Sequence, residues 1–185
     1  MKTKTALFDL DDTLAGYSES LMRSLKILQK PNDPPITSLN YLKADPIHRQ
    51  RMEIIKNEME FWFHLPPLRN GFNILFAAID VGYSINIVSK GPIHYPIAWA
   101  GKFEWCQKHL GDLKYDVTIT TNKSPVNGDI LVDDDVDIVK NWLYYHPLGV
   151  AIMPEQPQNQ GFTGKNIIKY TGNEDLKEIF KNISE

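Results

Sequence analysis

A chain of 185 residues with 42% hydrophobic residues is sized for one domain with a sizeable core and room for a small insertion. Its formal charge of -3 excludes a global field drawing it to nucleic acid or an anionic membrane, so any anion binding falls to local basic groups. Cys106 has no second cysteine to pair with, no stretch approaches the roughly 20 apolar residues of a membrane span, and Met1-Lys2-Thr3-Lys4 leads into no signal-peptide apolar region. A cytoplasmic protein with neither membrane nor nucleic acid as partner is expected.

In chain order, residues 5–9 read as a short buried strand. Ser18 reads as the N-cap of a helix to about residue 29, with Leu21, Met22, Leu25 and Leu28 on one stripe. Pro31-Asn32-Asp33-Pro34-Pro35 breaks it, and Asp45-Pro46 starts a second long helix to about His64, closed by Pro66-Pro67. Helix and strand then alternate: a helix over 73–81 stopped by Gly82, a strand over 84–89, a helix over 96–110 stopped by Gly111, and strands over 115–120 and 130–132. A helix over 136–144, a strand over 149–153, a polar loop over 154–165 and a last helix capped by Asn173 complete the chain. Repeated strand–helix units predict an α/β fold, a Rossmann-like parallel sheet with helices on both faces. The helical stretch 18–65 interrupts that rhythm and reads as a cap inserted into a core made of 1–17 and 66–185.

The most informative stretch is Leu7-Phe8-Asp9-Leu10-Asp11-Asp12-Thr13. An apolar strand ending in three acids cannot bury them unpaired, so they belong at its exposed C-terminal end, where open α/β sheets bind ligands. Asp9 and Asp11 are two apart and can face one site; like charges that close call for a cation, and oxygen ligands suit magnesium. A helix cap and a solvated turn is the plainer alternative. Ile130-Leu131-Val132-Asp133-Asp134-Asp135 repeats the design, and the two strand ends side by side would form a four-carboxylate pocket. A third strand ends in Ser89 followed by Lys90-Gly91, a hydroxyl with backbone N–H groups able to hold phosphate oxygens, or simply a serine turn. Lys123, in the loop after the next strand, could offset the carboxylates or lie on the surface.

These segments, in this order, resemble the haloacid dehalogenase-like (HAD) superfamily. Its four motifs are matched by Asp9, Asp11 and Thr13, by Ser89, by Lys123, and by Asp133-Asp134. The likeness is nearer to the 5′(3′)-deoxyribonucleotidases: Leu65-Pro66-Pro67-Leu68 with Gly71 is similar to that branch's return from cap to core, and Lys102-Phe103-Glu104-Trp105 with His109-Leu110-Gly111 to its helix after the second motif. Lys123 lies ten residues before Asp133, as in that branch. Two departures touch the substrate side: Ser89 is followed by Lys90-Gly91 where the branch has Ser-Pro, and Thr121-Asn122 stand where it has Arg-Asp.

The resemblance implies an Mg²⁺-dependent phosphomonoester hydrolase in which Asp9 attacks phosphorus and Asp11 acts as acid and base. It implies metal ligands from Asp9, the backbone carbonyl of Asp11, and Asp133-Asp134, with Asp134 favoured, and phosphate contacts from Thr13, Ser89, Lys90, Lys102 and Lys123. Tyr17 stands where the branch stacks an aromatic on the nucleobase, and Phe61, Trp62 and Phe63 where cap aromatics line the pocket, although these also suit a cap–core junction. The expected substrate is a small phosphomonoester, a (deoxy)nucleoside 5′-monophosphate. A sugar phosphate or other metabolite phosphate, a non-catalytic phosphate- or metal-binding protein, and a nucleic-acid end phosphatase are the rivals; no basic stripe with interleaved aromatics supports the last. A homodimer is left open.

Overall fold

The computed structural model describes residues 4–37 and 45–184. Among these residues six strands, β1 (Thr5–Phe8), β2 (Ser84–Lys90), β3 (Tyr115–Thr120), β4 (Ile130–Val132), β5 (Val150–Pro154) and β6 (Ile167–Tyr170), form one sheet in the order β3-β2-β1-β4-β5-β6. Every pairing is parallel. From β1 the chain winds outward through β2 and β3, then returns to the other side of β1 as β4. The connections therefore reverse direction between β1 and β4, which makes their C-terminal ends the switch-point crevice. Phe8 pairs with Val132, so Asp9 and Asp133 leave the sheet at matched heights.

Alternation along β1 divides the core. Ala6 and Phe8 join the larger apolar cluster, and Leu7 joins the cluster on the opposite face. The larger face is covered by α4 (Arg69–Asp80), α5 (Pro96–Leu110) and α7 (Leu176–Ser184), through Ile74, Leu75, Trp105 and Phe180 among others. The other is covered by α6 (Val136–Tyr145), through Val139 and Trp142. Among the described residues, three helices stand between β1 and α4: α1 (Tyr17–Ile27), α2 (Pro46–Lys56) and α3 (Met59–Phe63). Leu21 and Leu25 of α1 pack on Met52 and Ile55 of α2 in a small cluster of their own.

Local chemistry sets most element ends. Asp45 caps α2 by accepting from the His48 N–H at 2.9 Å, with Pro46 at the first helical position, and Asp135 caps α6 by accepting from the N–H groups of Asp137 and Ile138. Gly82 follows α4 with φ 88°, the left-handed conformation that ends a helix cheaply only with glycine.

Five expectations need correction. The helix expected from Asp45-Pro46 to about His64 is two helices, because Glu58 is extended (φ -97°, ψ 121°). The break turns Trp62 inward, where it is 2% exposed and donates from Nε1 to the Lys56 carbonyl at 2.9 Å, closing the end of α2. Ser18 lies inside α1 and does not cap it; its N–H and hydroxyl both donate to the Asp12 carboxylate. Helix α4 begins at Arg69 rather than residue 73, burying Gly71 in its first turn. The last helix is capped by Asp175, which accepts from Lys177 and Glu178 N–H, rather than by Asn173. Finally, the 154–165 loop contains a 3₁₀ turn, Pro157–Asn159, and a further strand, β6, stands between it and the last helix.

Candidate active site

The loop after β1 is tightly built. Asp12 takes φ 63°, Leu14 and Ala15 N–H both donate to the Leu10 carbonyl, and Asp12 N–H donates to the Ala15 carbonyl at 2.6 Å. This folds residues 9–15 back over the start of α4 so closely that a Cβ at Gly71 would lie 2.0 Å from the Thr13 carbonyl oxygen. The loop turns Asp9, Asp11 and Asp12 towards a cleft of 1250 Å³ above the β1/β4 crevice, also lined by Lys90, Lys102, Lys123 and Asp134.

Asp9, Asp133 and Asp134, all buried, each offer a carboxylate oxygen, and these oxygens lie within 4.8 Å of one another. Lys123 stands among them, donating from Nζ to Asp9 Oδ1 and, at 2.9 Å, to Asp133 Oδ2. Asp133 Oδ1 accepts from the Asp135 N–H at 2.9 Å. Among the described residues Asp134 is held by uncharged donors only: the Thr13 hydroxyl on Oδ1 at 3.0 Å and Gln158 Nε2 on Oδ2 at 2.9 Å. Burial, aided by the charge of Asp133, pushes the Asp134 carboxyl up to about 7. Burial also holds Asp9 well above the usual carboxylate range, with Lys123 pulling it back and Asp133, Asp11 and Asp134 pushing the same way as burial. Burial would lower the Lys123 ammonium, but Asp133 and Asp9 outweigh it and hold it above the ordinary lysine value. Three converging carboxylates with one ammonium between them are short of positive charge. An all-oxygen donor set of this kind fits a hard divalent ion such as Mg²⁺.

Asp11 lies outside that trio. Its Oδ2 accepts from Lys102 Nζ at 2.6 Å, and its buried Oδ1 has no hydrogen-bond partner among the described residues. Lys102 is 1% exposed and also donates to Ser89 Oγ at 3.0 Å and to the Lys90 carbonyl at 2.8 Å, with its ammonium 4.9 Å from the Trp62 ring centre. Lys102 therefore joins the end of β2, the post-β1 loop and α3. Lys90 points an exposed side chain along the cleft wall.

The aromatics separate. Tyr17 and Trp62 line the cleft and stack on each other, with centroids 5.5 Å apart and planes at 13°. Phe61 sets its edge against both but is not among the cleft-lining residues, and Phe63 faces α5, where the Lys108 ammonium sits 4.3 Å from its ring centre. The sequence reading missed three contributors: Asp12, which anchors α1 through Ser18, and Gln156 and Gln158, both in the cleft wall. Gln156 Nε2 donates to the Asp12 carbonyl at 3.2 Å. Nothing in a polar loop announces such contacts; only the presence of β6 would have shown that the loop is pinned over the strand ends.

The profile of the family "5′ nucleotidase, deoxy (pyrimidine), cytosolic type C protein" matches residues 4–177, nearly the whole chain. The chain belongs to this family. Among its relatives, a Bordetella pertussis protein provisionally named a 5′(3′)-deoxyribonucleotidase is 25% identical over 135 residues, covering 69% of this chain and 72% of its own. The mitochondrial 5′(3′)-deoxyribonucleotidase of Mus musculus is 24% identical over 144 residues, covering 71% of this chain and 64% of its own. A HAD-type hydrolase of Bacillus subtilis solved bound to magnesium has TM-score 0.57 at 12% identity, covering 100% of both chains. A HAD hydrolase of Deinococcus radiodurans with bound phosphate and sodium has TM-score 0.54 at 12% identity, covering 98% of this chain and 96% of its own. The fold is thus that of the HAD hydrolases, and the chain is a phosphatase of the nucleotidase kind. No helix among the described residues is long and apolar enough to cross a membrane.

Proposed function

We propose that this enzyme hydrolyses (deoxy)nucleoside 5′-monophosphates with Asp9 as nucleophile, Asp11 as acid and base, and Mg²⁺ as cofactor. The observation that carries the reading is the convergence of Asp9, Asp133 and Asp134 at the β1/β4 switch point, with Lys123 between them. Asp9 and Asp134 would hold the metal directly, with the Asp11 backbone carbonyl, while Asp133 is tied to Lys123 and the Asp135 N–H. A bound Mg²⁺ would supply Lewis-acid neutralisation of the phosphoryl oxygens and of the nucleophile facing them.

The Asp9 carboxylate attacks phosphorus in line as the bond to the ester oxygen breaks, giving an acyl phosphate on Asp9 and an alkoxide. Asp11 gives that alkoxide its proton; it then takes a proton from water, whose oxygen attacks the acyl phosphate and frees Asp9 and inorganic phosphate. Lys102 holds Asp11 by one oxygen and so fixes the orientation of its carboxyl beside the phosphate site. Ser89, Lys90 and Lys123 supply donors and fixed charge for the phosphate oxygens. Helices α1–α3, which span the inserted stretch 18–65 with α1 starting one residue before it, act as the cap that shields this chemistry from bulk water.

One observation favours a second reading. The Tyr17 face stacked on Trp62 is closed to a base, so a nucleobase must use the opposite face. A substrate without a base, such as a sugar phosphate, would need neither face of Tyr17. A panel of nucleotides and sugar phosphates, assayed with Mg²⁺ and with chelator, tests both. Preference for nucleotides that vanishes with chelator is the expected result, and equal turnover of sugar phosphates would transfer the reading to the second class.

A further inference from the structure

The turn after β5 is a built clamp on the acidic strand ends, and none of the four motifs includes it. Its base is Asn159, 1% exposed, which donates from Nδ2 to the Asp134 carbonyl at 2.9 Å and to the Pro154 carbonyl at 3.0 Å. Lys169 on β6 locks Asn159 in place, donating from Nζ to its carbonyl and Oδ1, both at 2.6 Å. From this fixed base Gln156 reaches the Asp12 carbonyl on the β1 side, and Gln158 reaches Asp134 Oδ2 on the β4 side. One short turn therefore bridges the two strand ends that carry the acids.

The two carboxylates after β4 are held differently. An ammonium partly neutralises Asp133, whereas Asp134 has the Thr13 hydroxyl on one oxygen and the Gln158 amide on the other. Neutral donors fix the plane of a carboxylate without cancelling its charge, and each oxygen keeps a further lone pair for a cation. This is how outer-shell groups orient metal ligands.

Resting on the metal reading above, we propose that Gln158 is a positioning residue of the metal site, setting the Asp134 carboxylate for the cation through its Nε2 donor. Gln158 has an exposed side chain, and the Asn159–Lys169 lock does not depend on it. Losing its amide should thus change cation binding and leave the fold alone.

The test is calorimetric titration of the metal-free, full-length protein with MgCl₂, comparing wild type, Gln158→Leu, Gln158→Ala and, as a neighbouring exposed control, Gln160→Leu. Thermal melts of all four in chelator accompany it. The expected result is Mg²⁺ binding weakened by about 10- to 100-fold in both Gln158 variants, with melting in chelator and the Gln160 control unchanged. Binding within twofold of wild type in the Gln158 variants would overturn the positioning role while leaving the metal reading standing. A fall in chelator melting temperature that accounts for the weaker binding would overturn it in favour of a merely structural role. Absence of Mg²⁺ binding by wild type would remove the metal reading and this inference together.

Discussion

Replacing Lys102 with methionine keeps the volume of the stem and deletes a charge that three acceptors share. Its ammonium is buried, and it pairs with an Asp11 carboxylate whose side chain is 26% exposed. Removing one partner of a buried pair costs about 3–5 kcal/mol because the other charge is stranded; the partial exposure of Asp11 places this case near about 3 kcal/mol. For a chain of this size each kcal/mol corresponds to about 2–4 °C, so melting should fall by about 6–12 °C. The decisive measurement is a double-mutant cycle by urea denaturation with Lys102→Met, Asp11→Asn and the pair. In the pair, the amide at position 11 needs no counter-cation. The double variant should therefore be more stable than the sum of the single losses allows, by about 1–3 kcal/mol. Additivity within about 0.5 kcal/mol would show that Lys102 and Asp11 do not act as a unit, and the account of how Asp11 is aimed would fall with it.

Asp11→Asn should lower kcat on a nucleotide by about 10²–10⁴-fold and much less on p-nitrophenyl phosphate, whose leaving group needs little protonation; equal losses on both would remove the acid role. In metal-free protein the Asp134 carboxyl is raised to about 7 from an unfolded value of 3.8, so its contribution to stability is present at pH 4 and lost as pH rises through 7, by about 4 kcal/mol at most. The cation competes with that proton, so the melting temperature gained on adding Mg²⁺ should be larger at pH 8 than at pH 5.5, and an equal gain at both would contradict the assignment of Asp134 as a ligand. Gly71→Ala pits a helix-propensity gain of about 1 kcal/mol against a Cβ placed 2.0 Å from the Thr13 carbonyl oxygen. The overlap wins: a net loss of about 2 kcal/mol or more is expected in urea denaturation, together with reduced activity as the loop carrying Asp9 and Thr13 shifts. A neutral or stabilising substitution would mean the loop is not pressed against α4.

The parts legible from sequence were those with a local signature. Short apolar runs ending in acids marked β1 and β4, Asp45-Pro46 marked the start of α2, and Pro96 and Gly111 bounded α5. What failed was set by contacts distant in the chain. The break between α2 and α3 follows from Trp62 docking where Gly101 leaves room; a Cβ at that glycine would meet the Trp62 Cβ at 2.7 Å. Strand β6 is four residues long, only partly buried, and lies at the edge of the sheet, so it carries neither a long apolar run nor a clean alternation. Adjacency in sequence does not separate Phe61, Trp62 and Phe63, whereas the short helix α3 sends the three rings in different directions, with Trp62 lining the cleft.

Lys102 is the more instructive case. A lysine in a predicted phosphate site invites the reading of a substrate contact, and Lys102 does lie at the end of the cleft. Its ammonium has three protein acceptors and an aromatic face, so it has no N–H left over for a ligand oxygen. That saturation moves the burden of gripping phosphate onto Lys123 and the exposed Lys90. It makes Lys102 the link through which α3, carrying Trp62, touches the residue expected to protonate the leaving group.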